Sequence, residues 1–186
     1  MQLNNKNKTG LTLIELITVI AVTATLLAIV IPAFGDFVER NRLKAATETL
    51  YSDLQFAKTE AIKRNKRIRV SFMTSNGGAT WCYGIKENAG CNCNMDAGAT
   101  MCHLDNVLKV ARSSDFPNVN LQTSISAPGD RFTFEGVRGI MASTFGKIIL
   151  RSNGEKQTRV IVSRLGRIRY CSPENNANVT GYSTSC

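Results

Sequence analysis

Histidine is almost missing from this chain, with His103 the single one among 186 residues. That withdraws the commonest general base and metal ligand from most of the molecule, and no identifiable nucleophile accompanies His103. There is no Gly-x-x-x-x-Gly-Lys-Ser/Thr stretch, which excludes a P-loop; Asn153-Gly154 and the other glycine pairs read as turns. Repeats and low-complexity tracts are lacking, so no solenoid is expected. Paired Cys-x-x-Cys spacings are also missing, which argues against a zinc ribbon. Acids are scarce: 14 Asp and Glu stand against 23 Lys and Arg, giving a net charge of +9 and a pI near 9.5. Polyanion binders and plainly soluble basic proteins share such a surplus. No acid precedes Glu15, and no charge of either sign lies between Leu16 and Ile31.

The uncharged stretch is the strongest feature present. From Leu11 past Pro32 to Phe34 the chain is uncharged apart from Glu15 and apolar apart from that residue and four threonines, and a helix of that length spans about 36 Å, enough to cross a bilayer. Lys6 and Lys8 lie ahead of it without an acid, so the positive-inside rule keeps that end cytoplasmic and puts the remainder outside. A cleavable secretory signal is the alternative. It fits less well, because the run passes Pro32 and flows into an amphipathic helix pattern rather than ending at a small-residue cleavage site. A lone carboxylate in a membrane segment costs about 2.5–3.5 kcal/mol near the bilayer centre and less near an edge, which marks Glu15 as functional and in want of a partner.

Beyond the membrane run, Leu43, Ala46, Leu50, Leu54, Ala57 and Ala61 recur at spacings of three and four, predicting one apolar helix face from Asp36 to about Arg67. Lys44, Glu48, Lys58 and Lys63 fall on the opposite face. The basic end, Lys63, Arg64, Lys66 and Arg67, reads as a solvated last turn that complements the helix dipole, with nucleic-acid contact as the alternative. Short alternating segments follow. Ile68-Val70-Phe72, Trp81-Tyr83-Ile85, Val107 to Ala111, Val119 to Gln122, Arg131 to Phe134, Lys147 to Leu150, Thr158 to Ser163 and Arg167 to Cys171 are expected strands, the last two forming a hairpin. One helix followed by strands predicts an α+β fold, with a long N-terminal helix (membrane half plus amphipathic half) packed on antiparallel β-sheet.

The six cysteines, Cys82, Cys91, Cys93, Cys102, Cys171 and Cys186, form an even set in an exported domain and predict disulfides. A Cys171–Cys186 bridge would pin the polar tail to the last strand and is worth about 3 kcal/mol in the entropic account. Nested and crossed pairings of the middle four both fit, and zinc with His103 is the competing reading.

The clearest candidate site is Gly166-Arg167-Ile168-Arg169. On a strand, residues two apart share a face, so Arg167 and Arg169 project together while Ile168 and Tyr170 turn toward the core. Arg164 lies across the predicted turn, and Gly166 lets the backbone bend. From Lys147 onward seven basic residues stand against two acids, Glu155 and Glu174. Guanidinium forks suit phosphate oxygens, and paired arginines beside a turn can follow a nucleic-acid backbone without reading bases. The alternative is an ordinary solvent-facing strand.

Gly10-Leu11-Thr12-Leu13-Ile14-Glu15 resembles the start of the type IV prepilins, in which a short basic leader ends in glycine and a membrane peptidase cuts after it. The resemblance implies cleavage between Gly10 and Leu11, with Leu11 in place of the usual Phe. It implies methylation of the new terminus and a pairing of Glu15 with the amino group of a neighbouring subunit during assembly. Residues 1–10 are then the leader, 11–35 the transmembrane and assembly helix, and 36–186 the globular domain; loss of Lys6 and Lys8 leaves a net charge of about +7. The whole layout is similar to the FimT/GspH branch of minor pilins and pseudopilins. Within it, Gly166, Arg167 and Arg169 match a Gly-Arg-x-Arg segment associated with DNA binding in natural transformation. The implied protein is a minor pilin, first single-pass in the inner membrane and then in the periplasm and extracellular pilus. Its implied partners are other pilins, the prepilin peptidase and the DNA phosphate backbone, and no cofactor is implied. A pseudopilin of a type II secretion system and a structural minor pilin that primes assembly are the rival readings.

Overall fold

The computed structural model describes Gly10 and residues 12–95, 98, 100–126, 129–142, 144–153, 155–174 and 178–184. The chain divides into two compact units, Met1–Val38 and Glu39–Cys186, and helix α1 (Leu13–Arg64) contributes to both.

In the first unit α1 opens with a capping box. The amide and hydroxyl of Thr12 each donate to Oε2 of Glu15 at 2.9 Å, and the Glu15 amide donates to Oγ1 of Thr12 at 3.3 Å. Reciprocal bonding of this kind satisfies donors that the first helical turn leaves orphaned. Glu15 therefore has a partner within its own chain, which its place in the apolar run does not disclose. The large apolar side chains described from Leu13 to Ile29 are 52–76% exposed. With a mean hydropathy of 2.6, this part of the helix is long and apolar enough to cross a membrane, and lipid or neighbouring helices would relieve the exposure.

In the second unit α1 buries one face: Leu43, Ala46, Leu50, Leu54, Ala57 and Ala61, the residues picked out by periodicity, are all buried. The helix stops in a Schellman motif. Asn65, at φ +50°, donates its amide to the Ile62 carbonyl, and Lys66 donates to that of Ala61, both at 3.2 Å; asparagine tolerates this left-handed cap better than most residues.

The strands are β1 (Ile68–Ser75), β2 (Thr80–Glu87), β3 (His103–Leu104), β4 (Val107–Leu108), β5 (Val110–Arg112), β6 (Val119–Ile125), β7 (Arg131–Phe134), β8 (Gly146–Ser152), β9 (Gln157–Val162) and β10 (Ile168–Cys171). They form two four-stranded sheets, β5-β2-β1-β7 and β10-β9-β8-β6, with β3-β4 as a small separate pair. All pairings are antiparallel. The helix reaches both large sheets. The Tyr83 hydroxyl donates to Asp53 at 2.7 Å, and the hydroxyls of Thr47 and Thr158 share a hydrogen bond of 2.6 Å. Trp81 ties one sheet to the other, its indole N–H donating to the Val119 carbonyl at 2.7 Å.

Cys82–Cys93 and Cys91–Cys102 are the middle disulfides, a crossed arrangement, and thiolate coordination of zinc by these four is thereby excluded. They hold the intervening loop over the outward face of the first sheet, where Cys82, Cys93 and Cys102 are buried with Met73 and Val110. Gly84 permits this, since a Cβ there would come within 2.2 Å of the Cys102 sulfur. Cys171 is disulfide-bonded; its expected partner, Cys186, lies outside the described residues.

Besides β3, which the sequence pattern does not announce, the strands depart from the sequence expectation in three places. The segment Val107 to Ala111 is two strands rather than one. At Lys109 the chain changes partner: its amide donates to Cys102 at 2.9 Å, while its carbonyl accepts from Ile85 at 3.0 Å. The last strand begins at Ile168, so Arg167 belongs to the turn before it. Tyr170 points to the helix side, its ring 5.0 Å from those of Tyr51 and Tyr182, yet it remains 37% exposed because β10 is an edge strand.

Candidate nucleic-acid interface

The β9–β10 hairpin closes through Ser163 and Arg167. The Ser163 amide donates to the Arg167 carbonyl at 3.0 Å, the Gly166 amide donates to the Ser163 carbonyl at 2.9 Å, and the Arg167 amide donates to Oγ of Ser163 at 3.2 Å. Arg164, Leu165 and Gly166 form the three-residue loop, with Gly166 at φ +72°. Such loops put their last residue in the left-handed region, which glycine enters without strain. Gly166 has a second reason to be glycine. A Cβ there would lie 2.2 Å from the carbonyl oxygen of Gly139, in the connection between β7 and β8.

Two further contacts fix the loop from outside. The ammonium of Lys58, on α1, donates to the Gly166 carbonyl at 2.9 Å, and the Met141 amide donates to the Arg164 carbonyl at 3.1 Å. The spacing of Lys58 puts it on the solvent face of the helix, and in the structure it holds the turn instead. Arg138, exposed beside Gly139, joins the basic residues at this end. Nothing in the sequence links Lys58 or Arg138 to the hairpin, because the contacts span 108 residues in one case and pass through backbone packing in the other.

Arg164, Arg167 and Arg169 are exposed. The guanidinium of Arg164 stacks 4.4 Å from the centre of the Phe145 ring, a cation–π contact that orients it without neutralising it. None of the three forms an ion pair with a carboxylate among the described residues. Arg169 borders a groove of about 520 Å³ with Lys147, Ser124 and Ser163, floored by Phe145 and Ile161.

The basic end of α1 is in the opposite state. Arg64 pairs with Glu60 at 2.6 Å, Glu87 at 3.7 Å and Asp105; Lys66 pairs with Glu87 at 2.6 Å, and Arg67 with Glu135 at 3.0 Å. Hydrogen bonds from Arg64 hold the Glu60 and Asp105 carboxyls below their ordinary values. This cluster is structural, and four of the chain's scarce acids are committed to it.

Of the remaining candidate residues, Gly10 is exposed ahead of α1 and Glu15 lies in its first turn, whereas Leu11 is outside the described residues. His103 is half-buried in β3. Among the described residues no group of three His, Cys, Asp or Glu side chains could hold a metal ion.

Comparison with known proteins agrees with this architecture. Residues 46–166 match the family described as Type II transport protein GspH, and residues 5–31 match the prokaryotic N-terminal methylation motif. A pilin-like protein PilA1 from Thermus thermophilus is 26% identical over 162 residues, covering 86% of this chain and 96% of that one. The minor pilin FimU of Pseudomonas aeruginosa superposes with a TM-score of 0.50 at 19% identity, over 75% of this chain and 98% of its own. The minor pseudopilin EpsH of Vibrio cholerae gives 0.49 at 14% identity, over 72% and 99%. A capped apolar N-terminal helix, its amphipathic continuation packed on two antiparallel sheets, the methylation motif and the match over most of the chain lead to one assignment: the protein belongs to the GspH family of minor type IV pilins and pseudopilins, membrane-anchored by its first helix and then built into a pilus with other pilins.

Proposed function

We propose that this minor pilin binds extracellular DNA through its phosphates and serves uptake in natural transformation. Gly10 and Leu11 flank the cut made by the prepilin peptidase, Glu15 serves assembly, and Arg167 with Arg169, aided by Arg164, carries the binding. The observation that carries the reading is the contrast between the chain's two basic ends. The helix end is neutralised by ion pairs, while the arginines of the β9–β10 hairpin project from a turn braced by α1 and the β7–β8 connection, with no described carboxylate opposite them. A turn whose backbone is braced before binding loses little freedom on meeting phosphate. The site includes no helix suited to a major groove, so recognition is independent of sequence.

A strain carrying Arg167→Gln and Arg169→Gln is expected to keep its pili and lose transformation. Normal transformation in that strain at wild-type pilus levels would overturn the assignment. The secretion reading is favoured by the family's description as a type II transport protein; it predicts no DNA affinity and a loss of secretion when the gene is removed.

A further inference from the structure

The outward face of the second sheet is open except at Cys171 and Gln157, which are buried, and the register specifies what it carries. Arg169 of β10 lies opposite Ile161 of β9, Ile161 opposite Lys147 of β8, and Lys147 opposite Ser124 of β6. The next row on the same face is Cys171, Arg159, Ile149 and Gln122, and the one after it brings Arg151 between Gln157 and Asn120. The alternate residues, Ile148, Leu150, Val160, Val162 and Ile168, are buried on the helix side. Lys147, Arg151 and Arg169 are exposed and Arg159 partly so. None of the four pairs with a described carboxylate, and no outward position on these strands is acidic. Glu155, in the β8–β9 turn, shares a small pocket with Arg151 but makes no ion pair with it. The outward face of the first sheet also carries cations, Arg69, Lys86, Arg112 and Arg131, but all four are partly buried and the disulfide loop lies over part of that face.

We propose that this face tracks duplex DNA, with Lys147, Arg151 and Arg159 continuing the site that Arg167 and Arg169 begin. The inference rests on the DNA-binding reading above and extends it from a turn to a sheet. Lys147 and Arg151 are four residues apart on one strand, about 13 Å, and Arg169 stands two strands from Lys147, about 10 Å. A 13 Å length of duplex carries about eight phosphate charges over its two strands at one per 1.7 Å, a density of the same order as that of the cations on this face. Charge complementarity selects a polyanion as the occupant. The fixed spacing of cations on a sheet, continuous with the braced hairpin, matches a regular backbone.

Full-length protein in non-ionic detergent is titrated with a fluorescent 30-base-pair duplex over a salt series, as wild type, Lys147→Gln/Arg151→Gln/Arg159→Gln and Arg167→Gln/Arg169→Gln. The triple variant is expected to weaken binding and to flatten the salt slope by about 0.9 for each phosphate it no longer neutralises, up to about 2.7. An Arg151→Lys/Arg159→Lys variant, which keeps the charge, is expected to retain the wild-type slope and controls for misfolding. A triple variant with the wild-type slope, beside a double variant that no longer binds, overturns the sheet surface and leaves the arginine turn standing. No binding by the wild type overturns both. Unchanged duplex binding with reduced binding to vesicles of phosphatidylglycerol would also overturn the inference, reassigning the face to an anionic membrane.

Discussion

At the residue scale the glycine of the Gly-Arg-x-Arg segment matters as much as its arginines. Gly166→Ala must accommodate a φ of +72° and a Cβ 2.2 Å from the Gly139 oxygen, so a loss of about 2 kcal/mol or more is expected in urea unfolding, with weaker DNA binding as Arg164 and Arg167 shift. Two opposed carboxylate effects govern the pH dependence. Glu60 and Asp105 are held below their ordinary 4.5 and 3.8 by hydrogen bonds from Arg64. Their stabilisation is present above the unfolded values and is lost as pH falls through the lower folded ones. Asp53 runs the other way: burial raises it above 3.8, against the lowering effect of the Tyr83 hydroxyl. Its ionised form therefore costs stability as pH rises through the raised folded value. Arg64→Met is expected to flatten the acid limb of the stability curve below about pH 4.5. Asp53→Asn, whose amide oxygen can still accept from Tyr83, should raise the urea midpoint at neutral pH and leave it unchanged at about pH 3.

At the scale of elements, the helix and the disulfide loop hold different parts of the molecule. Leu54, fully buried on α1, should cost about 2–5 kcal/mol when replaced by alanine, read as a fall in the thermal midpoint. Replacing Cys82 and Cys93 by serine removes a link across 11 residues and should cost about 3 kcal/mol on the loop-entropy account. DNA binding should survive that change at temperatures where the fold persists, because the loop lies over the first sheet and the arginines belong to the second. Much of this architecture is legible in the sequence. The apolar positions of α1 repeat at helical spacing, and strands such as β1 and β2 alternate with period two, so local pattern and buried face coincide. β3 escapes because two residues carry no pattern, and the split at Lys109 escapes because a change of strand partner leaves no local mark. The crossing of the disulfides and the seating of Gly166 on Gly139 depend on three-dimensional packing that spacing does not encode.

For the whole molecule, the decisive property is where an ordinary-sized charge surplus is left uncompensated. Glu60, Glu87, Asp105 and Glu135 neutralise the end of α1, whereas Lys147, Arg151, Arg159, Arg164, Arg167 and Arg169 make no ion pair with a described carboxylate. The arginine motif is visible in sequence, whereas this segregation requires the register. The most direct test of the central claim is DNA binding by the fragment from Asp36 to Cys186, which contains every core residue from Leu43 to Val179, across a salt series beside its Arg167→Gln/Arg169→Gln variant. The account predicts salt-sensitive binding by the wild-type fragment that the double change removes. A folded, oxidised wild-type fragment that does not bind DNA would contradict it and return the protein to the secretion pseudopilins.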